Sequence, residues 1–308
     1  MKITIIGAGA VGATSADNIT RLDLAREVVL LDIKEGVAEG KVQDIMQTKA
    51  LLNFDTNLIG VTNDYEATKN SNIIVVTSGL PRKPGMTREE LIGTNANIVK
   101  SVIENTLAKS PQAIVIIVSN PMDTMNYLAY KVANIDKHRV IGLGGVLDSA
   151  RFRYQLSTTL KCAPNDLQAL VIGGHGDTTM IPLIEHATWN NIPIKDLLSE
   201  EQKQKIINDT MVGGATLTKL LGTSAWYGPG ASVAHLVKAI VNDEKRLITC
   251  CVYLEGEYGQ QDICLGVPVI IGKNGWEDIK QFNLSDSEKE MFDKSANAVR
   301  AMNKVLNL

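Results

Sequence analysis

The first half of the chain alternates short segments rich in Val and Ile with longer amphipathic stretches. Each short segment is too brief for an isolated helix, and continuous apolar runs of this length are typical of strands buried on both faces of a parallel sheet. Their alternation with helices predicts a doubly wound α/β fold of the Rossmann type. The predicted strands are Ile3–Ile6, Val28–Leu31, Ile73–Thr77, Ile114–Val118 and Val140–Gly142.

The pattern changes after about Asp148, where Gly-Gly turns and longer helices follow. Two apolar segments, Leu247–Leu254 and Ile263–Ile271, predict a pair of strands. We therefore expect a Rossmann domain over residues 1–146 and a mixed α+β substrate/catalytic domain over residues 147–308.

Three helices are predicted in this second half, two of them at Glu201–Leu221 and Gly230–Arg246. The third follows Ser285, which forms a capping-box pattern with Glu288. Residues at helical spacing predict that this last helix packs one face against the body and has a structural role. These residues are Met291, Ser295, Ala298, Met302 and Val305.

Composition narrows the class of protein. The 308 residues carry a net charge of −3 and are 44% hydrophobic and 21% charged, which is typical of a soluble globular protein. The absence of a basic block argues against a nucleic-acid partner, and the longest aliphatic run, Ala113–Val118, is too short to span a membrane. The N-terminus has no signal-peptide pattern. None of the four cysteines forms a Cys-x-x-Cys pair, so we expect reduced thiols and a cytoplasmic protein.

A glycine-rich loop follows the first predicted strand and opens a helix. Glycine permits a tight turn and a close approach of the backbone to a pyrophosphate, which the free N–H groups of the helix N-terminus can bind. The next strand ends at Asp32, where a carboxylate can accept hydrogen bonds from the adenosine ribose and repel a 2′-phosphate. Strand, loop, helix, strand and acid in this order predict an NAD site rather than a structural turn. The loop residues are Gly7, Ala8, Gly9, Ala10, Val11 and Gly12.

Four further segments carry candidate chemistry. A loop over residues 79–88 includes Arg82 and Arg88, and a Val-Ser-Asn-Pro segment places Asn120 after a strand. Loops at the carboxyl ends of parallel strands bind ligands in α/β enzymes. Taken alone, the first segment could be a solvated basic loop and the second an ordinary turn.

The other two segments lie in the second half. Asp148 and Arg151 are three residues apart and share a helix face, as a surface ion pair would. His175 has glycine on both sides, which is not typical of a packed core histidine and lets a ligand approach the imidazole closely.

Together these segments resemble the lactate/malate dehydrogenase family over the full length of the chain and in the right order. The segments are GAGAVG, LLD, GLPRKPGMTR, VSNP, GVLDSARFR and GGHGD. The likeness is greatest to the bacterial branch of malate dehydrogenases that is similar to lactate dehydrogenases. The resemblance implies an enzyme that oxidises a 2-hydroxy acid reversibly with NAD and without a metal.

The resemblance also implies a role for each residue. His175 is the general acid–base, with an ordinary pKa of about 6.5 that suits proton exchange near neutral pH, and Asp148 orients its imidazole. Arg151 grips the substrate C1 carboxylate with its planar fork, and Arg88 polarises the reacting carbonyl. Asn120 binds the substrate oxygen. The residues implied to contact nicotinamide and ribose are Asn95, Val118, Ser119 and Asn120, and those implied to line the substrate side chain are Ser224 and Ala225.

Arg82 bears on which acid is the substrate. Lactate dehydrogenases generally carry glutamine at the aligned position, and malate dehydrogenases carry arginine. Malate and oxaloacetate have a second carboxylate, and a buried charge needs a partner. With pyruvate bound, Arg82 would itself be unpaired. The sequence therefore favours malate over lactate.

Three alternative functions are compatible with the sequence. A lactate dehydrogenase or broad 2-oxoacid reductase differs only in substrate. The NAD-dependent glycosidases share the fold, but their metal needs Cys and His ligands, and Cys162 has no histidine beside it in the sequence. A catalytically silent NAD-binding sensor would not need the four charged or titratable residues of the candidate site, which are His175, Asp148, Arg151 and Arg88. The resemblance further implies a homo-oligomer, either a tetramer or a dimer.

Overall fold

The computed structural model describes residues 1–80 and 87–308, and for Arg88 it describes the backbone alone. Six strands of the first half pair in parallel in the order β3-β2-β1-β4-β5-β6. Ile6 at the end of β1 aligns with Leu31 of β2 and with Val76 of β4. The strands are β1 Lys2–Ile6, β2 Glu27–Asp32, β3 Asn57–Thr62, β4 Ile73–Val76, β5 Ile114–Ile117 and β6 Val140–Gly142.

Five of these strands correspond to the predicted ones, and β3 was not predicted. It lies at the edge of the sheet and has only one buried residue, Leu58. An edge strand of this kind lacks the continuous apolar run that marks the buried strands.

Helices cover both faces of this parallel sheet. Alternate residues of each strand enter two separate cores, as Ile5 and Ile6 of β1 do. The helices of this half are α1 Ala10–Arg21, α2 Val37–Gln47, α3 Lys49–Leu52, α4 Arg88–Lys109 and α5 Met122–Ala133.

The second half extends the same sheet with antiparallel strands. β6 pairs with β12 at Gly142 and Cys251, and β13, β8 and β9 follow, with β14 paired to β13. A separate small sheet has the order β11-β10-β7. The strands are β7 Leu167–Gln168, β8 Val171–Gly173, β9 Met180–Pro182, β10 Thr188–Trp189, β11 Ile192–Pro193, β12 Arg246–Glu255, β13 Gln261–Gly272 and β14 Gly275–Ile279. The predicted β12–β13 pair and the predicted fold class are confirmed.

Two of the predicted helices of this half differ in the structure. The single helix expected at Glu201–Leu221 is divided at Val212, because two glycines follow and glycine is a poor residue for a helix interior. The helix expected at Gly230–Arg246 begins and ends earlier. The helices are α6 Gly144–Leu160, α7 Glu200–Met211, α8 Gly213–Leu221, α9 Tyr227–Val241 and α10 Asp286–Asn303.

The last helix, α10, has the predicted capping box between Ser285 and Glu288. Its buried face is rotated from the predicted one, because Met291 and Ala298 are exposed whereas Ser295 is buried. The buried apolar residues of this face are Phe292, Ala296 and Val299. Of the helices that the structure describes, none has the length and apolarity needed to cross a membrane.

Candidate active site

The glycine loop between β1 and α1 is shaped by steric limits at two positions. Gly7 has φ +104°, and a Cβ there would lie 2.8 Å from the Ser78 nitrogen. A Cβ on Gly12 would lie only 1.8 Å from the Gly7 carbonyl oxygen. A Cβ on Gly9, in contrast, would meet no described atom within 4 Å. The loop is therefore closed against the sheet on one side and open on the other, as a phosphate cradle must be.

Asp32 joins the end of β2 to this loop. Its Oδ2 accepts the Ala8 N–H at 2.6 Å, and its Oδ1 accepts the Lys34 N–H at 2.9 Å. Lys41 of α2 donates from Nζ to the Ala8 carbonyl at 2.6 Å. Sequence reasoning missed Lys41, because a lysine on an amphipathic helix gives no signal of the loop it reaches.

Asn95 of α4 connects the ends of two strands. It is 1% exposed, and its Oδ1 accepts the Leu80 N–H at 2.8 Å. Its Nδ2 donates to the Asn120 carbonyl at 2.7 Å and to the Leu80 carbonyl at 3.2 Å. The segment after β4 is thereby fixed to the segment after β5, where the Ser119 hydroxyl donates to the Ser78 carbonyl.

A buried carboxylate holds the histidine and one arginine together. Asp148 of α6 accepts from His175 Nδ1 at 2.6 Å through Oδ2, and from Arg151 Nη1 at 3.1 Å through Oδ1. The Asp148 side chain is 3% exposed, so its charge is little screened by solvent. Because an ionised carboxylate only accepts, Nδ1 carries the proton and Nε2 is the ring nitrogen available to a ligand.

These charges set the proton affinity of the imidazole. Burial lowers the pKa of His175, but the charge and hydrogen bond of Asp148, with a smaller contribution from Asp123, outweigh it. Arg151 opposes them, and the net pKa lies above the usual value for histidine. The protonated imidazole is therefore favoured.

The loop that carries His175 is held from two further elements. Gly173, with φ +86°, ends β8, and a Cβ there would lie 2.6 Å from the Thr179 carbonyl oxygen. Ser295 of α10 accepts the Gly174 N–H at 2.9 Å and donates to Thr179 O at 2.8 Å. Asp123 of α5 accepts the His175 N–H at 2.7 Å.

Sequence reasoning gave Ser295 only a packing role and did not single out Asp123. The available signal for Asp123 was its place two residues after a proline that follows a buried strand. Such a position predicts the first turn of a helix, where an acid is common at the surface.

One cavity of about 260 Å³ brings residues of both halves together. Val11, Val118 and Asn120 line it from the first half, and Arg151 and His175 from the second. Its further lining residues include Ser224, Ala225 and Asp177 of the GGHGD segment, and also Met122 and Thr218, which sequence reasoning missed. Arg82 and the side chain of Arg88 lie outside the described residues. Within residues 1–80 and 87–308, no three His, Cys, Asp or Glu side chains cluster as metal ligands would.

The glycine loop lies at the carboxyl edge of a parallel sheet and shares one cavity with a His–Asp pair. Together these features define a nicotinamide-dependent oxidoreductase. Residues 1–142 match the model of the lactate/malate dehydrogenase NAD binding domain, and residues 145–307 match that of the lactate/malate dehydrogenase alpha/beta C-terminal domain. The chain belongs to the lactate/malate dehydrogenase family, as its sequence motifs predicted, and its cofactor is NAD.

Individual relatives agree over almost the whole chain. A malate dehydrogenase from Flavobacterium frigidimaris is 63% identical over 306 residues, which are 99% of this chain and 98% of the relative. The structure of a malate dehydrogenase from Salinibacter ruber superimposes with a TM-score of 0.95 at 40% identity, covering 100% of this chain and 98% of the other. A lactate dehydrogenase from Cryptosporidium parvum, complexed with lactic acid and nicotinamide adenine dinucleotide, has a TM-score of 0.95 at 34% identity and covers 99% and 98%.

Proposed function

We propose that the protein is a malate dehydrogenase, which oxidises (S)-malate to oxaloacetate reversibly with NAD. The observation that carries the proposal is the His175–Asp148 pair, which opens into the cavity that Arg151 and the cofactor-side residue Val11 also line. An acid–base, a cation for a carboxylate and a dinucleotide loop are the parts that hydride transfer from a hydroxy acid requires.

His175 is the proton carrier in this proposal. During malate oxidation, neutral Nε2 accepts the hydroxyl proton, and during oxaloacetate reduction the same nitrogen returns a proton to the carbonyl oxygen. Asp148 keeps the proton of the other ring nitrogen in place and stabilises the imidazolium that forms. The charge of that imidazolium is thus balanced by a carboxylate 2.6 Å away.

The substrate is held by cations and one amide. Arg151 keeps its side chain beside the cavity through its bond to Asp148, and its fork binds the C1 carboxylate. Asn120 lines the same cavity and binds the substrate oxygen. Arg88 polarises the reacting carbonyl, a role that rests on the family motif.

The residues Gly7 to Gly12 fit a dinucleotide, because Gly12 leaves no room for a side chain and Gly9 leaves the outer face open. NAD, when bound, supplies the hydride acceptor for malate oxidation. Ala8, Ala10 and Val11 form the rest of the cradle, and Asp32 accepts hydrogen bonds from the adenosine ribose. The carboxylate disfavours the 2′-phosphate of NADP. Asn95, Val118 and Ser119, with the backbone of Asn120, shape the nicotinamide end of the site.

Malate rather than lactate is supported by Arg82 and by the names of the relatives, which are malate dehydrogenases at 63% and 62% identity. Arg82 neutralises the second carboxylate of oxaloacetate, and it is left without a partner when pyruvate binds. Sites built around such a polar partner discriminate by about 10⁴-fold or more against the analogue that lacks the group.

The test is a steady-state comparison of oxaloacetate and pyruvate, each with NADH and with NADPH. We expect the highest kcat/KM for oxaloacetate with NADH. A higher value for pyruvate would favour a lactate dehydrogenase, and no turnover with either acid would favour a silent NAD-binding protein.

We further propose a homo-oligomer, a tetramer or a dimer, in the cytoplasm. Exposed leucines on α8 support an interface, since Leu217, Leu220 and Leu221 are 37%, 76% and 48% exposed. The four cysteines form no disulfide, which is typical of a reducing compartment. We also retain the division into domains 1–146 and 147–308, supported by the change from parallel to antiparallel pairing between β6 and β12.

A further inference from the structure

Asp123 is a buried acid with an unusual set of neighbours. It lies in the first turn of α5 and is 3% exposed, among Met122, Thr124 and Met125, which are also buried. Surface acids at helix N-termini are common, but a carboxylate removed from solvent is costly unless its charge is compensated. Its burial therefore calls for a physical reason.

The packing of α5 on the sheet fixes the position of Asp123. One turn along this helix, Asn126 donates from Nδ2 to the Cys251 carbonyl of β12 at 2.9 Å. A Cβ on Gly142 of β6 would lie 2.4 Å from the Met122 sulfur, so the helix packs directly on the strand. The carboxylate therefore lies on a rigid support.

Only one of its two oxygens is used by the described residues. Oδ2 accepts the backbone N–H of His175 at 2.7 Å, whereas Oδ1 has no hydrogen-bond partner in the part of the chain that the structure describes. Two carboxylates thus contact the same histidine, with Asp123 on the backbone and Asp148 on the ring.

Ser295 provides an internal comparison, because it holds the same loop without charge. Its hydroxyl bonds Gly174 N at 2.9 Å and Thr179 O at 2.8 Å. If the loop needed only a hydrogen-bond acceptor at His175 N–H, a neutral side chain would suffice there too. The carboxylate of Asp123 accepts this hydrogen bond and also adds a negative charge near His175.

The charged and titratable groups around the imidazole come from several elements. The charges of Asp148 and Arg151 act on its pKa from α6, and the charge of Asp123, which bonds the His175 backbone, acts on it from α5. Burial raises the pKa of Asp123 to about 6, with a smaller raising effect from the Asp148 charge, against the lowering effects of the charge and backbone N–H of His175. Asp123 is therefore mostly ionised above neutral pH, where its charge acts on His175.

We propose that Asp123 is a positioning residue for His175, whose carboxylate fixes the backbone of the histidine and supplies a second negative charge that favours the protonated imidazole. The inference rests on the proposed function, because His175 must be the acid–base for its protonation to matter. Proton exchange itself stays at Nε2, and Asp123 contacts neither substrate nor cofactor.

The test compares the pH profiles of malate oxidation in the wild type, D123N and S295A. Malate oxidation needs neutral His175, so kcat/KM rises with pH through the pKa of this residue. Asp123→Asn keeps an acceptor for the His175 N–H but removes the charge, so the midpoint should move to lower pH by about 0.5–1 unit. Ser295→Ala should lower kcat and leave the midpoint in place.

The possible outcomes distinguish a failure of the inference about Asp123 from a failure of the proposed function. An active D123N with the wild-type midpoint would overturn the inference, and so would an equal shift in S295A. Asp123→Ser, which also offers an acceptor without charge, replaces D123N if the amide prevents folding, with NADH fluorescence confirming a folded site. A wild type that turns over neither malate nor oxaloacetate would instead defeat the proposed function.

Discussion

The cofactor loop and the acid–base centre lie at the same cavity but are built in different ways. The loop consists of six consecutive residues, and its shape follows from two local steric limits at Gly7 and Gly12. The centre joins Asp123, Asp148 and His175, which lie on α5, on α6 and in the loop after β8. A local site can be recognised from a short motif, whereas an assembled site depends on the tertiary packing that supports it.

The largest expected effect tests whether the acid–base centre alone determines the preference for oxaloacetate over pyruvate. Arg82 comes from the first half of the chain, so Arg82→Gln should change specificity while the His175–Asp148 pair stays intact. We expect the ratio of kcat/KM for oxaloacetate over pyruvate to fall by up to about 10⁴-fold, because the second carboxylate loses its partner. The measurement is the same ratio in variant and wild type.

Arg82→Lys is the control, because it keeps the charge and should retain most of the preference for oxaloacetate. An unchanged ratio in Arg82→Gln would remove the physical argument for malate. Specificity would then reside in residues other than Arg82.

The next effect separates the two sides of the cofactor loop. Gly12→Ala places a methyl group against the Gly7 carbonyl, so it should destabilise the fold by about 1–3 kcal/mol or more and weaken NADH binding. Gly9→Ala meets no described atom within 4 Å, so it should leave Tm unchanged and weaken NADH binding alone. Thermal unfolding and NADH fluorescence measure both effects.

Equal losses of Tm in the two glycine variants would contradict the distinction between a closed and an open side of the loop. So would a Gly9→Ala variant that binds NADH as the wild type does, because the pyrophosphate would then not approach that face.

The smallest expected effect concerns Lys41, which supports the cofactor loop but lies outside its six-residue motif. Lys41→Met removes the bond to the Ala8 carbonyl, and a hydrogen bond of this kind contributes about 0.5–1.5 kcal/mol. We expect NADH affinity to fall by about 2–10-fold with kcat unchanged at saturating cofactor. Lys34→Met, at an exposed neighbouring lysine, is the control and should bind NADH normally. A loss of kcat in Lys41→Met would mean that the loop and the centre are coupled.

Sequence patterns predicted the strands with continuous apolar runs, such as β4 and β5, because burial on both faces dictates their composition. They missed β3, whose edge position leaves Asn57 exposed. They also merged α7 with α8, because two glycines after Val212 interrupt a helix without disturbing the apolar spacing. For α10, spacing alone did not show whether Met291 or Phe292 faces the core.

Prediction from sequence patterns has the same limits at the active site as in the fold. The motifs identified His175 and Asp148 as candidates, and the structure brings them within hydrogen-bond distance. The bonds of Asp123 and Ser295 to the His175 loop could not be predicted, because they join residues 52 and 121 positions apart in the chain. Separations of this size carry no periodic signal.

The most direct test of His175 as the acid–base, separate from the cofactor loop, is to measure NADH affinity and oxaloacetate turnover on one preparation of His175→Asn. We expect NADH to bind nearly as in the wild type, because the cofactor loop is independent of the acid–base centre. Turnover should fall by at least about 10²–10⁴-fold, because the variant has no general acid–base. Retained turnover would contradict the role of His175, and the loss of NADH binding together with turnover would contradict the independence of the two sites.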